Sequence, residues 1–387
     1  MRPPRALLIA PRLPGTGFTG DRVRSQTHLD ALKLAGFHVT LIGGMPEGRP
    51  APRIEGADEV RAVPLDRRRI PMSLIRFGLE GDPLQSALHA GPWSEVLVSV
   101  GRDFDIVVWS LVRLWPHLRG RLPGAPVVLD YIDALSAAAR QASHSDAALW
   151  RRLYWSAEAP RLLKAEREAA EGTSLRLATT RLDAAELPAG TSVFAHGVDV
   201  HPLVDRAREP IVAFSGRLMY RPNELAVKRL VDLIWPLVRR RSPSARLAIG
   251  GADAPPWIRN LHGRNGIEVH SPVAAMCTFL RQARVVAAPV ELGLGSPNKL
   301  FEALEAGTPV VASAAVVDRG STENVSPPAR VAADDQQFAD AICEYLEDPH
   351  RAAEDGALGR RFVELHADRR VAIENLSCSF RAVAEHR

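Results

Sequence analysis

Glu291-Leu-Gly-Leu-Gly-Ser-Pro-Asn-Lys-Leu-Phe-Glu302-Ala-Leu-Glu305-Ala-Gly-Thr-Pro-Val-Val-Ala-Ser313 is the most informative run in this chain. It reads as a Gly/Pro loop, a short helix, a tight turn at Gly307-Thr-Pro309 and a buried strand, Val310–Ala312. Another apolar strand, Arg284–Pro289, comes just before it. A strand that feeds a small-residue loop and then a helix gathers unpaired N–H groups and the positive helix end around one point. Such a point suits a phosphate. Gly295, Ser296 and Asn298 would form the cradle, and Lys299 in the first helical turn adds a point charge. Glu302, about one turn further on, can accept hydrogen bonds from sugar hydroxyls. A plain βαβ connection, with glycines that merely turn the chain, is the competing structural reading.

Working outward, 387 residues are too many for one ordinary core and predict two domains of comparable size. With 46% hydrophobic and 24% charged residues, the composition is that of a globular protein rather than a disordered one. No apolar run approaches the roughly 18–20 residues that span a bilayer. Arg2 and Arg5 precede an apolar stretch, but Ala6–Ala10 is too short for a signal peptide and reads as a first buried strand. Cys277, Cys343 and Cys378 are scattered, which predicts reduced thiols, a cytoplasmic location and no cysteine-bound zinc. A net charge of +4 fits anionic substrates or a membrane surface. It is too mild to indicate nucleic acid, and no aromatic-basic stripe supports that class.

Strands and helices alternate from the start, which predicts parallel sheets covered on both faces. Strands are expected at Ala6–Ala10, Gly36–Ile42, Phe104–Trp109, Pro126–Asp130, Leu175–Thr179 and Ser192–Ala195. Helices are expected over Gly20–Ala35 and Leu149–Ala170. The Pro-, Gly- and Arg-rich region Gly44–Asp82 reads as irregular, with a short strand near Val60–Val63. After a connection around His196–Pro210, strands recur at Ile211–Phe214, Arg246–Ile249, Ile267–His270, Val285–Ala288 and Val310–Ala312, with an edge strand near Ala329–Ala332. A helix is expected over Pro222–Arg239, and from Asp335 onward only helices. Ligands of such sheets bind beyond the carboxyl ends of the strands.

An ordered set of segments resembles the GT-B glycosyltransferases of family four over nearly the full length. They are Pro14-Gly-Thr-Gly-Phe-Thr-Gly-Asp-Arg-Val-Arg-Ser25, Val128-Leu-Asp-Tyr-Ile-Asp-Ala-Leu-Ser136, Glu166, Gly197-Val-Asp199, Phe214-Ser-Gly-Arg-Leu-Met-Tyr-Arg-Pro-Asn223 and Asn298-Lys-Leu-Phe-Glu302. The resemblance is nearest to a bacterial subgroup of sugar transferases associated with exopolysaccharide and protein-sorting gene systems. It implies an α/β GT-B fold, two facing Rossmann-like, doubly wound parallel-sheet domains with an interdomain cleft. Residues 1–203 would be the acceptor side and 204–367 the nucleotide-sugar side, with 368–387 forming a helix that crosses back to the first domain.

The same resemblance implies retaining transfer of a sugar from a nucleotide diphosphate sugar to a hydroxyl acceptor, which could be a polysaccharide, lipid-linked or a small molecule. Peripheral contact with the inner face of the membrane joins that expectation. No cofactor is implied beyond the donor substrate. With no Asp-x-Asp cluster in view, no metal is expected. Arg217, Lys299 and the helix start at Ser296–Asn298 would neutralise the leaving diphosphate. Arg221 is a further candidate for the second positive charge, Gly216 lets the backbone approach, and Glu302 would hold the ribose. From the first domain, Gly17, Gly20 and Asp21 would approach the donor, and Asp133 would meet the acceptor or sugar. Asp21 reads equally as a helix cap and Asp133 as an Asx-turn. Arg217 reads equally as a solvated turn residue, and Glu302 as an i, i+3 partner of Lys299.

The sequence also departs from the family pattern. Leu294 stands where relatives often have the first of two loop glutamates, with Glu291 nearby. Ile132 replaces a common histidine, and His196 an asparagine. The usual Arg-x5-Lys pair becomes Arg217 with Asn223. The missing first glutamate and histidine keep open a catalytically silent GT-B partner subunit, and a nucleotide-sugar epimerase on the same fold is a separate alternative. A phosphorylase is disfavoured, since no motif for a lysine-bound pyridoxal cofactor is visible.

Overall fold

A computed structural model describes residues 2–14, 20–48, 50–145, 148–202, 207–291, 295–322 and 325–385. Gly17 and Leu294 lie outside the described residues. The chain divides into two compact units, Met1–His196 with Val371–Arg387, and Gly197–Arg370.

In the first unit the strands are β1 (Arg5–Ala10), β2 (His38–Pro46), β3 (Glu59–Leu65), β4 (Ile106–Ser110), β5 (Val127–Ile132), β6 (Leu175–Ala178) and β7 (Thr191–Val193). They form one sheet in the order β3-β2-β1-β4-β5-β6-β7, every pair parallel. Successive residues of β1 feed opposite faces, as strand geometry requires. Leu7 and Ile9 join Val107, Trp109, Leu129 and Leu162 on one face. Leu8 joins Leu29, Leu32, Val128 and, from the last helix (Arg369–Glu385), Leu376 and Phe380 on the other. Both faces are therefore covered, which explains the near-continuous apolar strands.

One sequence expectation is corrected here. The region expected to be irregular, Gly44–Asp82, contains the end of β2, all of β3 and the helix Ile70–Glu80. Its proline and glycine are punctuation rather than breakers. Pro71 sits in the first turn, where its missing N–H costs nothing, and Gly81 closes the helix at φ +70.

In the second unit the strands are β8 (Glu209–Ser215), β9 (Arg246–Gly250), β10 (Ile267–His270), β11 (Ala283–Ala288), β12 (Val310–Ala312) and β13 (Arg330–Val331). They form a parallel sheet in the order β10-β9-β8-β11-β12-β13. Its core takes Val212 and Phe214 from β8, Leu247 and Ile249 from β9, and Leu300 and Leu304 from the helix Asn298–Glu305. The expected helix Pro222–Arg239 is an α-helical stretch from Arg221, one π-turn at Leu230–Ile234, and a second α-helical stretch to Arg241. Among the described residues, no helix is long and apolar enough to cross a membrane.

Candidate functional site

The strand order of the second unit reverses between β8 and β11, whose carboxyl ends therefore flank a crevice. After β8 the chain turns through Gly216–Tyr220 into the helix that opens at Arg221. After β11 it reaches Gly295, in the left-handed conformation at φ +68, and opens the helix Asn298–Glu305. That helix has no side-chain cap. The Ser215, Ser296 and Asn298 side-chain oxygens are buried and have no hydrogen-bond partner among the described residues. Orphaned buried polar atoms are costly, and three of them at the loops of one crevice mark a place built for a polar ligand.

Asn223 joins the two loops. Its Nδ2 donates to the Arg217 carbonyl at 2.9 Å, and its Oδ1 accepts from the Lys299 ammonium at 2.5 Å. Lys299 also stands 4.7 Å over the Phe214 ring, a cation–π contact. Part of Lys299 remains exposed, yet the protein packed around its ammonium lowers its pKa to about 8, with Glu302 acting weakly in the other direction. Burial raises Glu302 to about 7, against the pull of Lys299. The usual second cation of the Arg-x5-Lys pattern is absent, and the asparagine in its place holds a cation from the other loop. The bare residue type at position 223 gave no sign of this.

Gly216 has φ +147, which residues with a side chain rarely adopt, and a Cβ there would meet Asn223 Nδ2 at 2.8 Å. Arg217, half exposed, pairs with Asp253 at 2.8 Å, and Arg221 lies 3.6 Å from Glu224 within its helix. Arg217 is thus paired with Asp253 and Arg221 within its own helix, while Lys299 is held by Asn223. Glu291 forms an ion pair with Arg229, which also binds Asp335 at 2.7 Å.

In the first unit, Gly20 and Asp21 open the helix Gly20–Leu34, and Asp21 lies 3.8 Å from Arg12. Asp133 follows β5 directly and accepts from Thr179 Oγ1 at 3.5 Å. Ile132, the residue before it, has φ +67, an outlier for a β-branched side chain. The Ile132 N–H donates to Asp130 Oδ1 at 2.9 Å, and its carbonyl accepts from both the N–H and the hydroxyl of Thr179 at 2.9 Å each. Strain of this kind, about 1–3 kcal/mol, persists only where surrounding bonds impose it, and it concentrates at functional turns.

Sequence reasoning missed what lies beneath that turn. Arg24, His28 and Asp130 are wholly buried together. Arg24 Nε pairs with Asp130 Oδ2, and His28 Nε2 lies 2.8 Å from the same oxygen. Burial alone would raise the Asp130 carboxyl, but the Arg24 charge and the His28 contact hold it well below the usual range. Arg24 Nη1 also donates to the Phe194 carbonyl at 2.9 Å, so the ion pair ties the first helix to β5 and to the segment after β7. Glu166, expected as a helix glutamate, is buried and accepts from the Ser136 N–H at 2.9 Å. The only sequence signal was Arg24 and His28, two polar residues one turn apart on a helix otherwise packed by Leu29 and Leu32.

Residues 209–348 match the family model described as Glycosyl transferases group 1. No curated protein matches the chain. Among solved structures, the chain is similar to sucrose-phosphate synthase from Thermosynechococcus elongatus, with 17% identity over 100% of both chains and a TM-score of 0.74. It is also similar to WaaG, a glycosyltransferase involved in lipopolysaccharide biosynthesis, with 14% identity over 97% of this chain and 99% of that one and a TM-score of 0.68. Anabaena HepE, solved with UDP and glucose, is 13% identical over 98% and 100% of the two chains, with a TM-score of 0.66. The fold is α/β GT-B, with two Rossmann-like parallel sheets. The match over 209–348 indicates a glycosyltransferase.

Proposed function

We propose that this chain moves a sugar from a nucleotide diphosphate sugar to a hydroxyl acceptor, with retained anomeric configuration and without a divalent metal. The observation that carries the reading is the Asn223 clamp, which holds the Arg217 loop and the Lys299 ammonium at the crevice between β8 and β11. Transfer builds negative charge on the departing diphosphate, so preorganised cations and polar hydrogens act mainly on the transition state. Lys299, Arg217 and the helix start at Ser296–Asn298 supply them, with Arg221 as a further cation of the same helix–loop. Glu302 accepts from the nucleotide ribose. HepE was solved with UDP and glucose and WaaG acts in lipopolysaccharide biosynthesis, which supports a nucleotide-sugar donor and a glycan-type acceptor.

From the first unit, Asp133 on its strained turn serves the acceptor. The acceptor hydroxyl belongs to a polysaccharide of the exopolysaccharide kind, a lipid-linked sugar or a small molecule, and the work is done in the cytoplasm with peripheral membrane contact. A panel of nucleotide sugars, scored for transfer and for slow hydrolysis, tests the reading. Turnover of one donor supports it, and binding of a nucleotide diphosphate with no turnover of any donor would instead fit a silent GT-B subunit. That second reading draws on the ion pair of Glu291 with Arg229, which engages the carboxylate three residues before Leu294 in the sequence.

A further inference from the structure

The helix Ile70–Glu80 is apolar on two sides. Phe77 is its one buried residue, while Met72, Ile75 and Leu79 are 72%, 61% and 85% exposed. At 3.6 residues per turn these three fall within about 60° of one another, and Phe77 points well away from them. A helix whose solvent face is as apolar as its core face lacks a partner in the folded unit. Basic residues frame that face. Arg67, Arg68 and Arg69 precede the helix, and Arg76 lies about 40° from Met72 around the axis. They outnumber the neighbouring acids Asp66 and Glu80. The first turn of the helix Leu149–Ala170, in the same unit, repeats the composition, with Trp150 70% exposed and Arg151 stacked 5.6 Å over its ring.

We infer that the helix Ile70–Glu80 is an interfacial element that lies in the headgroup layer of an anionic bilayer, with Met72, Ile75 and Leu79 inserted and the arginines on lipid phosphates. Charge selects this occupant over a second copy of the chain, because pairing two such faces would set arginine against arginine. The inference deepens the membrane-contact part of the proposed function and is independent of the donor chemistry.

The test uses the full chain with vesicles of phosphatidylglycerol mixed into phosphatidylcholine, against pure phosphatidylcholine, at low and high salt. Co-sedimentation is expected with the anionic vesicles only, and it weakens as salt rises. The variant M72S/I75S/L79S lowers the partition coefficient about tenfold or more, as removal of inserted apolar groups requires. The variant R68Q/R76Q lowers it about tenfold and flattens the salt dependence. Since all five positions are solvent-facing, unchanged circular dichroism melting curves keep misfolding apart from lost binding. Nucleotide-sugar turnover measured without vesicles, and unchanged in both variants, keeps this inference separate from the donor assignment. Equal binding to neutral vesicles, no binding at low salt, or wild-type binding by both variants would overturn it. So would a dimer seen by sedimentation velocity that the serine variant dissolves without any vesicle effect.

Discussion

Lys299 Nζ lies 2.5 Å from Asn223 Oδ1, and the same asparagine holds the Arg217 carbonyl through its Nδ2 at 2.9 Å. One neutral side chain thus couples the loop after β8 to the helix after β11. Neutrality matters, because a lysine at position 223 would repel Lys299. Among the described residues no carboxylate stands at bonding distance from Lys299 in this arrangement, which fits the anion-binding role proposed for it.

Replacing Lys299 with Ala should therefore lower turnover more than it weakens donor binding, since charge on the leaving group peaks at the transition state. The expected loss is roughly 2–4 kcal/mol in activation free energy, the scale for one preorganised donor. Parallel measurement of kcat and of the dissociation constant for UDP-type ligands checks it. A variant that loses affinity alone, with kcat intact, would refute the assigned role.

Nucleotide affinity should pass through a maximum between about pH 7 and 8. Below about 7, Glu302 takes up a proton and loses acceptor capacity towards a ribose; above about 8, Lys299 loses the proton that neutralises phosphate. Glu302→Ala should cost roughly 1.5–3 kcal/mol of affinity at neutral pH, the range for hydrogen bonds to a charged group. It should also abolish the acid limb while leaving the alkaline one. Calorimetry across this range decides the point, and an acid limb that survives in the alanine variant would remove Glu302 from the site.

Most of the sheet architecture was legible because buried parallel strands are short apolar runs bounded by turns, as Val310–Ala312 and Ile106–Ser110 show. The helix Ile70–Glu80 was not, since Pro71, Gly78 and Gly81 within and beside it read as breakers in a Pro-, Gly- and Arg-rich stretch. At the candidate site, loop chemistry pointed to Lys299 and Glu302 from local spacing alone. The role of Asn223 lies 76 residues away in the chain, and the Arg24–Asp130 pair spans 106. Pairings at such separation leave no periodic trace in the sequence.

The first unit should lose stability as the pH falls below about 6.5. His28, His89 and His117 are buried there, and burial lowers all three, His89 to about 3 and His117 to about 4. Folded, each stays neutral; unfolded, each binds a proton near pH 6.5, so the unfolded chain gains protons and stability rises with pH in this window. The neutral His117 donates its Nε2–H to the Ser86 carbonyl at 3.0 Å, which fixes the tautomer. Each such histidine contributes a slope of up to about 1.4 kcal/mol per pH unit between its folded and unfolded values. His117→Gln should keep the hydrogen bond and reduce the slope by about one proton, as read from chemical denaturation at a series of pH values. A slope identical to that of the wild-type chain would show that His117 does not titrate on unfolding.

Transfer should persist in excess chelator. Among the described residues, one group of His, Cys and carboxylate atoms lies close enough together to hold an ion: His201, Cys277 and Glu305, within 4.8 Å. Its carboxylate is already committed. Glu305 Oε1 accepts from Arg360 Nη1 at 2.7 Å, from the His201 N–H at 2.9 Å and from Arg281 Nη2 at 3.4 Å, so two guanidinium charges oppose a bound cation. Glu305 also ends the helix whose first turn carries Lys299, nearly two turns from the helix start at the crevice. In the proposed function the charge that meets a diphosphate comes from Lys299 and Arg217, and an added magnesium ion would meet those cations rather than a carboxylate pair. Initial rates should thus be the same with chelator and with added magnesium, while Lys299→Ala stays slow under both conditions. Activity abolished by chelator and restored by magnesium, together with full turnover of Lys299→Ala, would mean that a metal and not this lysine neutralises the leaving group.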